Sequence, residues 1–228
     1  MSNSALVNYT CISPNSNNPR NAGIKKITIH HMAGNLSVET CGKIFASSAR
    51  QASSNYGIGS DGRVGMYVEE KNRSWCSSSA ANDQRAVTIE CASDNTEPYA
   101  FKDVVYQRLI ELCTDICKRN GKTKLLWLGD KAKTLNYTPK SDEMVLTVHR
   151  WFANKSCPGN WMYARMGDLA SKVTAALGGN ADSATTTPTT QTSVLYRVRK
   201  TWADSKSQKG AFKILENAKK CADANPGY

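Results

Sequence analysis

Three short stretches of the chain alternate hydrophobic and polar side chains and end on strongly polar residues. They are Ile27-Thr28-Ile29-His30-His31, Val87-Thr88-Ile89-Glu90 and Leu146-Thr147-Val148-His149. A period of two is the mark of a strand with one face buried, because successive side chains point to opposite sides. Each stretch puts a threonine and then a polar group (His30, Glu90 or His149) on one face, opposite aliphatic residues. His31 falls on the side of the isoleucines. With the aliphatic faces packed on helices, the threonine faces can line a single cleft.

The rest of the pattern alternates between strands and helices. Ser37 is placed to cap a helix running to about Arg50. "NYGIGSDGRVGMYVEE" reads as two strands joined at Ser60-Asp61-Gly62, and "KLLWL" as another strand. Apolar residues at 105, 109, 112 and 116 predict a helix over Asp103 to Arg119, stopped by Asn120-Gly121. A last helix is expected from about Trp161 to Leu177. The fold class is therefore α/β, with a central mixed β-sheet flanked by helices. The stretch 178–193, "GGNADSATTTPTTQTS", has almost nothing to bury and reads as a linker. It separates a main domain, 1–177, from a basic segment, 194–228. That segment reads as a strand, a turn and a helix from about Ala211 to Ala224.

Charge narrows the partners. The net charge is +11, and residues 194–228 hold eight Lys/Arg against three Asp/Glu, hence +5. A basic surface suits a polyanion, either nucleic acid or an anionic cell wall. The basic residues are dispersed and no aromatic side chains are interleaved with them on one face, which argues against nucleic acid. No apolar run is long enough to span a membrane. The start of the chain lacks a basic stretch followed by a continuous apolar one, so no secretory signal is read. A target outside the cytoplasm then implies release by another route, such as lysis or a holin. The eight cysteines show no disulfide framework and mostly read as reduced core thiols.

Cys157 is the exception. It lies eight residues after His149, in the turn that ends "HRWFANKSCPG". A thiolate there can return beside His149. Two imidazoles and one thiolate suit zinc and leave a fourth position open, as a catalytic site requires. The spare fourth donor, His31, lies on the wrong face.

These residues give the chain a resemblance to the zinc-dependent N-acetylmuramoyl-L-alanine amidases of the type shared by phage amidase endolysins and peptidoglycan recognition proteins. The matching pieces are "TIHHMAG", "SSNYGIGSDGRVG", "AVTIE" and "HRWFANKSCPG", in that order over about 27–159. The resemblance implies one zinc ion per chain on His30, His149 and Cys157. It also implies an active-site tyrosine at Tyr56, a basic residue near the substrate carbonyl at Lys155, and a proton carrier at Glu90. Read without it, these three are better explained as a buried hydrogen-bonded tyrosine, a solvated lysine and a salt-bridged glutamate. Asn55, Trp75, Asn82 and Arg85 sit in loops beside the matched strands, where they can touch glycan or peptide or simply pack. The implied substrate is peptidoglycan, cut between N-acetylmuramic acid and L-alanine. The alternative is a non-catalytic peptidoglycan-binding protein; such proteins typically lose the cysteine ligand that this chain keeps. The segment 194–228 resembles small modules appended to wall hydrolases, and more loosely a glycan-binding repeat. Such modules normally continue into a further strand, so the segment reads as cut short at Tyr228.

Overall fold

The computed structural model describes residues 2–178, 196–201, 204–212 and 215–226. The chain divides into two compact units, 1–184 and 185–228. In the first, the elements in chain order are β1 (Val7–Thr10), β2 (Ser16–Asn17), β3 (Lys26–His31), α1 (Val38–Ala46), β4 (Tyr56–Ile58), β5 (Val64–Met66) and β6 (Arg73–Ser74). They continue with α2 (Ala80–Asp83), β7 (Ala86–Cys91), α3 (Asp103–Arg119), β8 (Lys124–Leu126), α4 (Lys131–Asn136), β9 (Glu143–Val148), α5 (Gly159–Tyr163) and α6 (Met166–Ala176).

Seven strands form one mixed sheet in the order β1-β5-β4-β7-β3-β9-β8. β4, β7, β3, β9 and β8 run parallel, and β5 turns back antiparallel to β4. One face packs on α3 and α6. There Ile27, Ile29, Val87, Ile89, Leu146 and Val148 meet Leu109, Leu112, Ile116, Leu169 and Val173 in one buried cluster. The helix spacing read from residues 105 to 116 is what produces this contact, since Val105, Leu109, Leu112 and Ile116 are all fully buried. On another side, Cys41 and Phe45 of α1 pack against Tyr67 in a smaller cluster. The glycines of β4 and β5 are needed there: a Cβ at Gly57 or Gly65 would lie 2.6 Å from the Tyr67 side chain.

Several elements differ from expectation. Ser37 does cap α1, accepting a bond from the Thr40 N–H at 3.2 Å, but the helix ends at Ala46. A separate 3-10 turn follows at Ser48–Arg50. The single helix expected over 161–177 is two. The break at Ala164-Arg165 lets Met162 and Met166 both enter the core, while Trp161 packs edge-on against Tyr106. β1 and the β2–β6 ribbon were not anticipated. Their residues are polar or half-exposed, and their pairing comes from partners distant in the chain.

In the second unit, β10 (Tyr196–Val198) pairs antiparallel with β11 (Gly210–Phe212), and α7 (Leu215–Asp223) follows. The helix expected from Ala211 therefore starts later, because residues 210–212 use their backbone groups to pair with β10. Most of the expected linker, from 179 onward, lies outside the described residues. Among the described residues, no helix is long and apolar enough to cross a membrane.

Candidate active site

The site stands on the carboxyl ends of three adjacent parallel strands, where open α/β sheets commonly bind ligands. In the β3–β7 pair, Thr28 is opposite Thr88 and His30 is opposite Glu90. In the β3–β9 pair, Thr28 is opposite Thr147 and Ile29 opposite Val148, so His149 follows at the level of His30. Beneath the polar ends, the three threonines are fully buried. Thr28 and Thr147 share a hydroxyl hydrogen bond of 2.8 Å, and Asn82 ties both, donating to Thr28 Oγ1 and accepting from Thr147 Oγ1. Thr88 is held by Asn55 and Ser74.

Cys157 arrives from the turn after β9. The Arg150 N–H donates to the Cys157 carbonyl at 3.1 Å. The Arg150 guanidinium bonds Asn160 Oδ1 and the Ser156 carbonyl and stacks on Tyr163. Gly159 closes the turn at φ +81°, where a Cβ would meet the Pro98 carbonyl at 2.8 Å. The result brings one ligand atom from each of His30, His149 and Cys157 within 4.8 Å of the others. Cys157 Sγ lies 3.4 Å from His30 Nδ1. Ser78, at φ +61°, holds His149 through Nε2 at 3.1 Å.

Burial governs the charge state of these groups. It drives the His30 imidazole well below its ordinary range, helped by His149 and His31, and lowers His149, helped by Lys155. Both histidines are thus neutral at physiological pH, the form that binds a metal. Burial pushes Glu90 up to about 8, with the Arg50 charge opposing it. It also raises the Cys157 thiol well above its usual value.

The other expected site residues divide. Lys155 is exposed, yet its charge reaches His149. Trp75 is half-buried and lines the cleft, with its indole N–H on Asn17. Tyr56 is a correction. Across the sheet it is opposite Ile89, and Gly57 is opposite Glu90, so its ring enters the core on the other face. Its hydroxyl donates to Glu70 at 2.7 Å and accepts from the Ser4 N–H, and Arg119 pairs with the same Glu70. Asn55 and Asn82 are also corrected as substrate contacts: both are buried, with their amides spent on the sheet and its loops. Arg85 immediately precedes β7, at the end of that strand remote from Glu90, and cannot reach the site. His31 lies past the edge of the core, half-buried and stacked on Tyr99 at 4.2 Å. No periodicity or motif marks Cys76 or Arg50. Both line the cleft, in loops without periodicity.

The cleft encloses about 300 Å³. Its lining includes His149, Cys157 and Glu90 together with the apolar surfaces of Leu36, Ile44, Phe45 and Trp75. The family profile described as N-acetylmuramoyl-L-alanine amidase matches residues 19–160. The chain belongs to this family. The amidase is thereby a hydrolase of the amide between N-acetylmuramic acid and L-alanine in peptidoglycan. Among solved structures, the catalytic domain of XlyA is 11% identical, with 72% of this chain and 97% of that one covered at a TM-score of 0.52. A mutant endolysin from Bacillus subtilis is 13% identical, covering 73% and 99% at 0.51. A selenomethionine derivative of AmpD is 17% identical, covering 73% and 96% at 0.50. These likenesses show a shared fold. No curated protein sequence matches the amidase.

The donors fit a zinc ion. Two ligands at 2.0–2.1 Å (nitrogen) and 2.3 Å (sulfur) on a tetrahedral ion lie about 3.5 Å apart, close to the 3.4 Å between His30 and Cys157. Beside these donors, Glu90 Oε2 is buried without a hydrogen-bond partner. Such a group is costly unless something compensates it.

The placement of Tyr56 carries a testable consequence. Tyr56→Phe leaves Glu70 and the Ser4 N–H short of a partner, and should cost about 1–3 kcal/mol of stability in urea unfolding. Turnover on muropeptides should stay within about twofold, since a hydroxyl outside the cleft supplies no transition-state stabilisation. A loss of 100-fold or more with the fold intact would return the tyrosine to the active site.

Proposed function

We propose that this amidase is zinc-dependent, with His30, His149 and Cys157 as the metal ligands and Glu90 as the proton carrier. The observation that carries the reading is the convergence of the three ligand atoms within 4.8 Å at the carboxyl ends of adjacent strands. Zinc bound there supplies Lewis acidity toward the amide carbonyl and makes a neighbouring water more acidic.

The chain's own residues supply the rest. Glu90 Oε1 lies 4.0 Å from His30 Nδ1, and Oε2 has no partner and is free to take a proton. The carboxylate accepts the proton of the attacking water and returns it to the leaving amine of L-alanine. A cation beside Glu90 counters the burial that raises its proton affinity. Lys155, exposed and close enough for its charge to reach His149, is proposed to favour negative charge developing on the carbonyl oxygen. The apolar lining from Leu36 to Trp75 offers a surface for the stem peptide and keeps water from that part of the cleft.

The setting we infer is cell-wall lysis by an endolysin-type enzyme, after release from the cytoplasm. The family, the Bacillus subtilis endolysin that shares the fold, and the basic charge of the chain support it. Segment 194–228, joined through the Thr-rich stretch 178–193, is proposed as a basic wall-attachment module.

The metal-free protein should be inactive and regain activity on addition of about one zinc per chain. His30→Ala should lose both metal and activity, whereas His31→Asn should retain stoichiometric zinc by elemental analysis. Full lysis by a verified metal-free sample, or the reverse pattern in the histidine pair, would overturn the ligand assignment. Glu90→Gln keeps the shape and removes the base, so zinc should stay bound while kcat falls roughly 10²–10⁴-fold. Near-normal turnover would move the proton to another carrier. A chain ending near Gly179 should cleave soluble muropeptides at about the full rate yet sediment less with purified walls. The difference should be greatest at low salt, where the Debye length is long. Equal sedimentation at every salt would exclude the tail from wall attachment.

A further inference from the structure

Cys76 has no part in the reaction described above, yet its thiol points at Glu90. Cys76 Sγ lies 3.9 Å from Glu90 Oε1. Its backbone is fixed: the N–H groups of Cys76 and Ser77 both donate to Asp83 Oδ2, and Ser77 Oγ donates to Oδ1 at 2.6 Å. One ligand atom from each of His30, Cys76 and Glu90 lies within 4.8 Å of the others, a second donor group beside the His30, His149 and Cys157 set. We propose that Cys76 and Glu90 form a second, weaker seat for zinc next to the first, filled when zinc exceeds one ion per chain and inhibitory when filled. The inhibitory part rests on Glu90 being the proton carrier.

The geometry suits the ion. A thiolate sulfur and a carboxylate oxygen on one tetrahedral zinc lie about 3.6 Å apart, from bonds of 2.3 and 2.0–2.2 Å. The observed 3.9 Å needs only a small side-chain adjustment. Glu90 Oε2, buried and without a partner, offers a further lone pair. His30 is common to both donor groups. With its imidazole committed to the first ion, the second has two protein ligands and water, hence lower affinity. Metal pairs about 3.5–4 Å apart are well established in hydrolytic sites. Binding displaces the Cys76 thiol proton to solvent and occupies the carboxylate that would otherwise carry the reaction's proton.

The test uses the full chain, stripped of metal and kept under a reductant that does not bind metal. Zinc is titrated against a chromophoric chelator, and cobalt is followed in parallel by its thiolate charge-transfer absorbance. Wild type should bind one tight ion and a second at least tenfold weaker, each adding to the cobalt–thiolate absorbance. Cys76→Ser should keep the tight ion at unchanged affinity, lose the second absorbance increment and lose the weak ion. Its turnover at one zinc per chain should match wild type, while inhibition by excess zinc should need at least tenfold more metal. Glu90→Gln should lose the weak ion as well. Wild type saturating at one ion, or Cys76→Ser retaining the second at equal affinity, overturns this proposal alone. Absence of a tight ion in wild type overturns the first site and this one with it.

Discussion

The register of three parallel strands, locked by buried threonines, is the constraint on which the rest of the molecule depends. Thr28, Thr88 and Thr147 lie side by side on β3, β7 and β9 with no exposure to solvent. A buried hydroxyl is tolerable only when it is hydrogen-bonded. Here the bonds run between strands and to two asparagines, so they define one alignment of the sheet. A slip of one residue would turn the threonines into the α3 and α6 core and the isoleucines into the cleft. The same alignment sets His30 level with Glu90 and puts His149 beside it, so the site is a consequence of the sheet's register. Asn55 and Asn82, expected as substrate contacts, serve the fold by satisfying these hydroxyls.

This arrangement collects donors without collecting negative charge. The two imidazoles are neutral because burial disfavours protonation of both, helped by His149 at His30 and by the Lys155 charge at His149. The thiol of Cys157 and the carboxyl of Glu90 are held toward their protonated forms by the same burial. A dication reverses the second effect, since it favours the thiolate and the carboxylate together. The buried groups are therefore acceptable to the fold without a metal, and under the proposed zinc assignment they would become strong ligands or bases when it binds. Ser78 and the Arg150-braced turn hold His149 and Cys157 in place.

What could be read in the sequence followed from periodicity. The period of two in "ITIHH", "AVTIE" and "VLTVH" located the strands, separated the faces and brought His30, Glu90 and His149 together. The helical spacing of residues 105 to 116 located α3 with its bounds intact. Positions without a period were misread or missed. Tyr56 was assigned from resemblance rather than from its strand, and alternation along β4 puts it on the core side. Arg85 lay close in sequence to Glu90, but a strand of six residues intervenes between its position and the active end. Cys76 and Arg50 reach the cleft through segments whose paths depend on backbone hydrogen bonds donated to Asp83 and on the turn after α1, which no local pattern encodes.

The displacement of Tyr56 also shapes the chemistry. Because Tyr56 faces the core, the residue of β4 level with Glu90 is Gly57, which has no side chain. The Tyr67 ring occupies the space beside it, with its hydroxyl on the Val38 carbonyl. No ionisable group therefore projects from β4 toward Glu90. Cys76 and His30 are the titratable side chains that approach Glu90 Oε1, at 3.9 and 4.0 Å, and the Cys76 thiol is itself held protonated by burial. On the proposed mechanism, the transfer of a proton from water to the leaving amine would fall on this flank to a single carboxylate. A site with one carrier is simple to build on a rigid sheet, and it is correspondingly open to arrest by anything that binds that carboxylate.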